Sequence, residues 1–330
     1  MHRSPDANRN PQGVAMALNE SSLHRSSVPF TRQPLTVISG IPIFIEPDRY
    51  TRNYDRIARD HLASLDLSGT NPFMADEAWT ALDDSSAAVL ADILKPGDVI
   101  LDAGVGLGRI LSRFPQYERH GVDIALEYLD RTIHHGIHVA LAKLEALPYP
   151  DGSFDVVTTT DVLEHVMKFD DVTAEIVRVL KPGGHLVLRV PLEEDMKVYY
   201  DYNQYDFVHL RRFDLWSLRL HFERILNLTF VKDQPVLPLY RGLNTSLLRP
   251  VKDGNAVREI LAELPPELNG AEEFRQFTHL TQAAFESFMN AIATAYPDTF
   301  KKLIKEIANC LELNVVFQKP SSRQAPLPLG

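Results

Sequence analysis

Between residue 98 and about residue 190, short β-prone runs alternate with stretches of helical periodicity, and few folds accommodate that alternation. VILDAG (99–104), ERHGVDI (118–124), IHVALA (137–142), FDVVTTT (154–160) and HLVLRVP (185–191) read as five strands. ALEYLDRTIHH (125–135) and VTAEIVRVL (172–180) read as helices, and GRILSRF (108–114) as the opening of another. The second of these helices is closed by Lys181-Pro182-Gly183-Gly184. FDVVTTT is nearly continuous, as a strand covered on both faces is. Repeated βα units of this size predict an α/β fold, a parallel sheet with helices on both faces.

The flanks divide by composition and period. Residues 1–35 are rich in Ser, Asn, Arg and Pro, and residues 36–46, TVISGIPIFIE, form a β-prone run. Residues 1–45 are therefore expected to be a mobile tail carrying a short β-prone run. Residues 46–97 form an N-terminal helical extension. In YTRNYDRIARDHLASL (50–65), Tyr54, Ile57, Ala58, His61 and Leu62 recur at helical spacing. A second helix, 76–94, stops at Lys95-Pro96-Gly97. The core is expected over 98–235, and includes FDLWSLRLHFE (213–223) as a helix and ILNLTFVKD (225–233) as a strand. Residues 236–309 read as a helical insertion. Its Phe274, Phe277, Leu280, Ala284, Phe285, Phe288, Met289 and Ile292 fall three or four apart, a packing face rather than a ligand box. LELNVVFQK (311–319), inside a final segment 310–320, is a late strand, and 321–330 is a polar tail.

The chain carries 34 basic and 44 acidic side chains, a formal charge of −10. Proteins that grip a phosphate backbone carry a basic face, so this balance argues against a nucleic-acid partner. Cys310 is the one cysteine, which excludes an intramolecular disulfide and a zinc site built on paired cysteines, and no metal is expected. The start, MHRSPDANRNPQG, has no apolar leader region, and no run of about 18 apolar residues exists to span a bilayer. The expectation is a soluble cytoplasmic protein. Its oligomeric state is not written in the sequence.

The sharpest chemical signal is LDAGVGLGR, residues 101–109, in which Gly104, Gly106 and Gly108 follow an apolar strand. Glycines there permit a tight turn and let a ligand approach the backbone, and a helix start adds N–H donors. The spacing is G-x-G-x-G rather than the G-x-G-x-x-G expected for a pyrophosphate. Asp102 stands just before the first glycine, where it would repel phosphates but welcome an ammonium group. S-adenosylmethionine has an amino-acid end and no phosphate. Asp123 closes the second strand, where a carboxylate can hold a ribose diol; capping the helix that begins near Ala125 is the alternative role.

Residues 99–190 resemble class I S-adenosylmethionine-dependent methyltransferases, in particular the type 11, ubiquinone-biosynthesis-like group. LEALPYPDGSFDVVTTTDVLEHV (144–166) resembles that group's central signature and LKPGGHLVLRVP (180–191) its fifth-strand signature. HLRRFD (209–214) resembles, more weakly, its entry to a late helix. The resemblance implies a Rossmann-like, three-layer, seven-stranded sheet with an antiparallel last strand, ILNLTFV and LELNVVF being strands six and seven. The helical insertion then falls between those two strands, as a cap over the acceptor. It further implies that Asp102, Gly104 and Gly106 hold the methionine portion, with Gly108 completing the loop. Asp123 would hold the ribose, Ile124 would pack on the adenine, and Leu144 with Glu145 would lie beside the ring. Asp161 would lie near the methionine end and the acceptor. Lys143 departs from the group, which commonly has an acid there. SGIPIFIE (39–46) resembles the end of small zinc-ribbon segments fused ahead of such enzymes, without their cysteines.

Methyl transfer from a sulfonium needs alignment above all, and a base only where the acceptor holds a proton tightly. Asp161, His165 and His209 are the candidate catalytic residues, with Glu164 beside them. The tyrosines of KVYYDYNQYDF (197–207) line either an aromatic acceptor pocket or a loop. The function expected is methyl transfer to a small-molecule acceptor. The alternatives are a nicotinamide-dependent oxidoreductase, against which the glycine spacing and Asp102 count, and a non-catalytic binding module of the same fold.

Overall fold

The computed structural model describes residues 26–74, 76–194, 196–236, 259–265, 268, 282–306 and 312–321. Its centre is one nine-stranded sheet with the order β1-β2-β5-β4-β3-β6-β7-β9-β8. The five expected strands are β3 (Val99–Ala103), β4 (Glu118–Asp123), β5 (His138–Leu141), β6 (Phe154–Thr160) and β7 (Leu180–Pro191). All their mutual pairings are parallel. β9 (Glu312–Gln318) runs antiparallel between β7 and β8 (Thr229–Val236). β3 to β9 are thus the seven strands expected, with the last one inserted antiparallel. Strand order reverses between β3 and β6, and an open α/β sheet binds ligands beyond the carboxyl ends of its strands at such a switch point.

Side-chain alternation feeds two cores. Leu101, Val157, Leu186, Leu188 and Phe317 enter one, with Val172, Ile176 and Val179 of helix α4 (Phe169–Val179) packed on them. Ile100, Val156, Val187 and Val316 enter the other, beneath α2 (Asp76–Ile93) and α3 (Leu126–Thr132). The period of two along each strand is what places helices on both faces.

Four local expectations are corrected. The nominal tail is packed from residue 26 onward, while residues 1–25 lie outside the described residues. Val28 is buried in the first core, the Ser27 N–H donates to Glu118 at 2.8 Å and the Thr31 N–H to the Pro148 carbonyl at 2.9 Å. The β-prone run forms a hairpin, β1 (Thr36–Ile38) and β2 (Ile41–Ile43), turned at Ser39 (φ 51°) and Gly40 (φ 81°). Two positive φ values suit the right-handed twist of a two-residue hairpin. β2 adds to the β5 edge, which extends seven strands to nine.

The helix expected over 108–114 is a single 3₁₀ turn, Leu111–Arg113. Gly108 sits at φ 68°, and Pro115 disfavours helical geometry at Phe114, which leaves too few residues for a helix to propagate. The glycine loop therefore has no helix N-terminus behind it. The segment Lys181–Gly184 does not stand between helix and strand but lies inside β7, with a register shift opposite β6. The strand expected to start at residue 225 starts at Thr229, because α6 (Leu215–Arg219) runs into a π-helical turn, Leu220–Ile225.

α1 (Arg49–Ser68) begins at a capping box of Asp48 and Thr51 and ends at Gly69 in the left-handed conformation. α5 (Met196–Tyr200) follows β7. Between β8 and β9 lie α7 (Gln282–Ala295) and α8 (Pro297–Glu306), as expected of a helical insertion. Phe288, Met289, Ile292 and Leu303 form a small apolar cluster with Leu261 and Leu264, so this part of the stripe is a packing face. Phe274, Phe277, Leu280 and Cys310 lie outside the described residues. Among the described residues, no helix is long and apolar enough to cross a membrane.

Candidate cofactor and acceptor site

The three glycines of the loop do different things. A Cβ on Gly104 would come within 2.2 Å of Val162, and one on Gly108 within 2.8 Å of Thr132. Both are close-approach positions demanded by packing. Gly106, at φ 49°, has no heavy atom within 4 Å of the place where its Cβ would be, so it faces open space. Arg109, next in sequence, turns away to Asp83 at 2.5 Å and stacks over Trp79 of α2.

Asp123 is bound to this loop. One carboxylate oxygen accepts the Gly106 N–H at 2.8 Å; the other accepts those of Ile124 and Ala125 at 2.8 and 3.0 Å. Three donors leave one lone pair, on the oxygen facing Gly106, for a further partner. The alternative capping role is thus partly real: Asp123 satisfies backbone donors at the approach to α3, whose N-cap is Ala125. Asp102 is 2% exposed, and its Oδ1 has no hydrogen-bond donor. Burial, and then the charge of Asp123, push its carboxyl well above the ordinary range. A buried oxygen without a donor is costly, and a cationic ligand would satisfy it. Together these features fit an aminoacyl nucleoside cofactor.

α1 lies across the carboxyl ends of these strands. The Tyr50 hydroxyl donates to the His165 carbonyl at 3.3 Å, and the Tyr54 ring meets the His165 ring edge-on at 5.8 Å. Burial, followed by the charges around it, raises the Tyr54 phenol, and those charges include both Glu164 and Asp123. Lys143, the departure from the family pattern, forms an ion pair with Asp48 and so ties the start of α1 to the loop after β5. Leu144 is buried in the 3₁₀ turn that follows, Glu145 is half-buried, and Ile124 is half-buried beside Asp123. A 470 Å³ surface cleft lined by Arg32, Phe44, Lys143, Glu145 and Met167 opens on this side, and neither Asp102 nor a histidine lines it.

On the other side of β3, Asp161 takes a left-handed conformation (φ 55°) directly after β6. Its carboxylate meets Arg189 at 2.5 Å, and Arg189 meets Glu312 at 2.5 Å and Ser86 at 2.9 Å. Arg189 is 2% exposed. Although burial acts to raise it, the Arg189 charge and bond hold the Asp161 carboxyl below its ordinary range. Asp161 is therefore an ionised partner of Arg189, held in place rather than free to act as a base.

Glu164, His165 and His209 come together next to it, each offering one ligand-type atom within 4.8 Å of the others. Glu164 is wholly buried and neither oxygen has a hydrogen-bond donor, though His165 Nε2 stands 3.8 Å from Oε1, and burial lifts its carboxyl to about 8. Burial first, and then His209, drive the His165 imidazole down to about 3. His209 is bonded through Nδ1 to Glu194 at 2.6 Å and stacks on Tyr199 at 4.3 Å. Burial pulls its pKa down, but Glu194 and Glu164 outweigh this and raise it. Sequence reasoning named His165 and His209 but missed Arg189, Glu194 and Glu312, which lie far from the glycine loop in sequence. A lone arginine inside an apolar strand, HLVLRVP, was the one available signal.

The sheet order and the two carboxylates beside a glycine-rich bend are those of a class I S-adenosylmethionine-dependent methyltransferase fold. Residues 101–188 match the family model described as a methyltransferase domain. An uncharacterized methyltransferase of Schizosaccharomyces pombe is 31% identical over 137 residues, 36% of this chain and 49% of that protein. A ubiquinone/menaquinone biosynthesis C-methyltransferase of Vibrio parahaemolyticus is 35% identical over 123 residues, 32% of this chain and 48% of that protein. The chain thus spans about half the length of the curated relatives it matches. In fold, a chain from the complex between the Haloferax volcanii Trm112 methyltransferase activator and a methyltransferase superposes with a TM-score of 0.52 at 16% identity, over 84% of this chain and 100% of the other.

Proposed function

We propose that the chain is an S-adenosylmethionine-dependent methyltransferase acting on a small-molecule acceptor. The observation that carries this reading is Asp102 Oδ1, a buried carboxylate oxygen with no donor at the end of the strand that leads into Gly106, a glycine that faces open space. S-adenosylmethionine, when bound, supplies a methyl group already activated on a sulfonium. Asp102 would hold the ammonium of its amino-acid end, against the backbone at Gly104 and Gly106. The free lone pair of Asp123 would take a ribose hydroxyl. Ile124 and Leu144 would pack on the adenine, with Glu145 at its edge, while Gly108 shapes the loop without contact.

The chain's own contribution is then positioning, an effect worth up to ~7–11 kcal/mol when reacting groups are well aligned. Tyr50 and Tyr54 of α1 exclude water from above, and Asp161, fixed by Arg189, marks the boundary between cofactor and acceptor. His165, kept neutral with its imidazole held down to about 3, would orient an acceptor through a ring lone pair rather than carry off a proton. The same proposal makes residues 236–309 a cap over the acceptor, built in part on its own small apolar cluster. The net charge of −10 favours a small molecule over a nucleic acid, and the proposed compartment is the cytoplasm, where a chain with one cysteine needs no disulfide. Incubation with labelled methyl donor and fractionated cell extract, followed by mass spectrometry, tests this reading. A labelled small molecule is the expected product; label absent from every fraction, with the cofactor bound, would leave a binding module instead.

A further inference from the structure

We propose that Glu164, His165 and His209 form a binding site for a divalent first-row transition-metal ion at the acceptor end of the pocket. Two imidazoles and one carboxylate are a donor set suited to zinc, cobalt, manganese or iron. Their candidate ligand atoms lie within 4.8 Å of one another. Ligands at ~2.1 Å from a common ion stand ~3.4 Å apart in tetrahedral geometry, so side-chain closure of up to about 1.4 Å completes the set; His165 Nε2 already lies 3.8 Å from Glu164 Oε1. Independent of that spacing, Glu164 is fully buried and neither of its oxygens has a donor. The Nδ1 of His165 is likewise buried without a partner. Such groups are costly unless something binds them.

The surroundings are built for a cation. Glu194 binds His209 at Nδ1, the carboxylate–histidine arrangement that orients a ligating ring, and leaves Nε2 for the ion. Glu194 is itself held by the Tyr199 hydroxyl. Asp161, Glu164, Glu194 and Glu312 place four carboxyl groups around Arg189 and two histidines. Arg189 is spent on Asp161 and Glu312, so the basic groups that face Glu164 are the two histidines themselves, His165 Nε2 at 3.8 Å and His209. Three protein ligands leave open positions on the ion, and an oxygen-bearing acceptor would fill one. That use rests on the methyltransferase reading; occupancy by the ion does not.

The test is titration of the full chain with Co(II), read by its visible ligand-field absorption, with S-adenosylmethionine binding measured on the same preparation by calorimetry. One Co(II) per chain is expected. Binding is expected to be lost in Glu164→Gln and His209→Ala, and weakened about 10- to 100-fold in Glu194→Gln, which removes only the orienting carboxylate. The exposed pair His134 and His135 serves as control, and His134→Ala with His135→Ala should leave binding unchanged. Circular dichroism verifies that each variant is folded; Glu164→Gln is isosteric and keeps the test alive if His209→Ala fails to fold. No saturable Co(II) binding by the wild type, or Co(II) binding in Glu164→Gln as tight as in the wild type, would overturn the site. Cofactor binding without Co(II) binding would sink the metal site and leave the methyltransferase reading standing, and the reverse result would do the opposite.

Discussion

Asp123 accepts the Gly106 N–H at 2.8 Å, so the acid that ends β4 and the glycine loop that follows β3 are one unit. The same carboxylate also serves Ile124 and Ala125. Asp123→Ala strands three backbone donors, and a buried polar group left unsatisfied costs about 1–3 kcal/mol. Urea unfolding should register a loss of at least about that size, before any ligand is added.

The glycines separate packing from binding. Gly104→Ala drives a methyl group to 2.2 Å from Val162 and should lower the melting temperature sharply. Gly106→Ala meets no neighbouring atom and carries only the left-handed backbone strain, about 1–2 kcal/mol. It should remain folded while losing cofactor affinity. Differential scanning calorimetry paired with isothermal titration distinguishes the two; equal melting temperatures would contradict the assignment.

Arg189, itself buried, sits between the buried Glu312 and the half-buried Asp161. Removing one side of a buried ionic cluster costs about 3–5 kcal/mol, because the charge left behind has no partner. Arg189→Met should therefore destabilise the protein by about that amount in equilibrium unfolding, whereas Lys143→Ala should cost less than about 1 kcal/mol, since the Lys143–Asp48 pair is partly solvated. Hydrogen exchange should nevertheless report faster opening of the first turns of α1 in Lys143→Ala.

Two structural histidines give the fold a pH dependence. Burial, with Arg109 adding to it, lowers His61 to about 4. Burial also lowers His120 to about 4, against the opposing bond from Glu118. In the unfolded chain such rings bind protons near pH 6.5. Between pH 6.5 and 4 the unfolded state therefore holds more protons than the folded one, and stability falls as pH falls through this window. His61→Gln with His120→Gln should flatten the slope there by up to the two protons of these rings, as read by denaturant titrations across that range.

What the sequence carried was local and periodic. The five βα strands were legible because their alternation and glycine punctuation fix period and direction, and β9 was legible as a strand. The missing helix after Gly108 was not, because Pro115 and the pull of Asp83 on Arg109 overrule a run that looks helical in isolation. The packing of residues 26–35 depends on Glu118 and Pro148, about ninety residues or more away, and no local pattern encodes it. At the site, Asp102 and Asp123 stood out by their spacing from the glycines. Glu194 behind His209, and Arg189 between Asp161 and Glu312, exist only once β6, β7 and β9 lie side by side.

The account stands on a pocket made by Asp102, Gly106 and Asp123, and calorimetric titration with S-adenosylmethionine addresses it most directly. Wild type should bind one molecule per chain. Asp123→Asn, whose one oxygen can serve Gly106 while its NH2 turns to Ile124 and Ala125, should stay folded with a lowered melting temperature and bind roughly 10- to 100-fold more weakly, the worth of a hydrogen bond to a charged group. A folded wild type that takes up no cofactor, or an Asp123→Asn variant that binds as the wild type does, would contradict it.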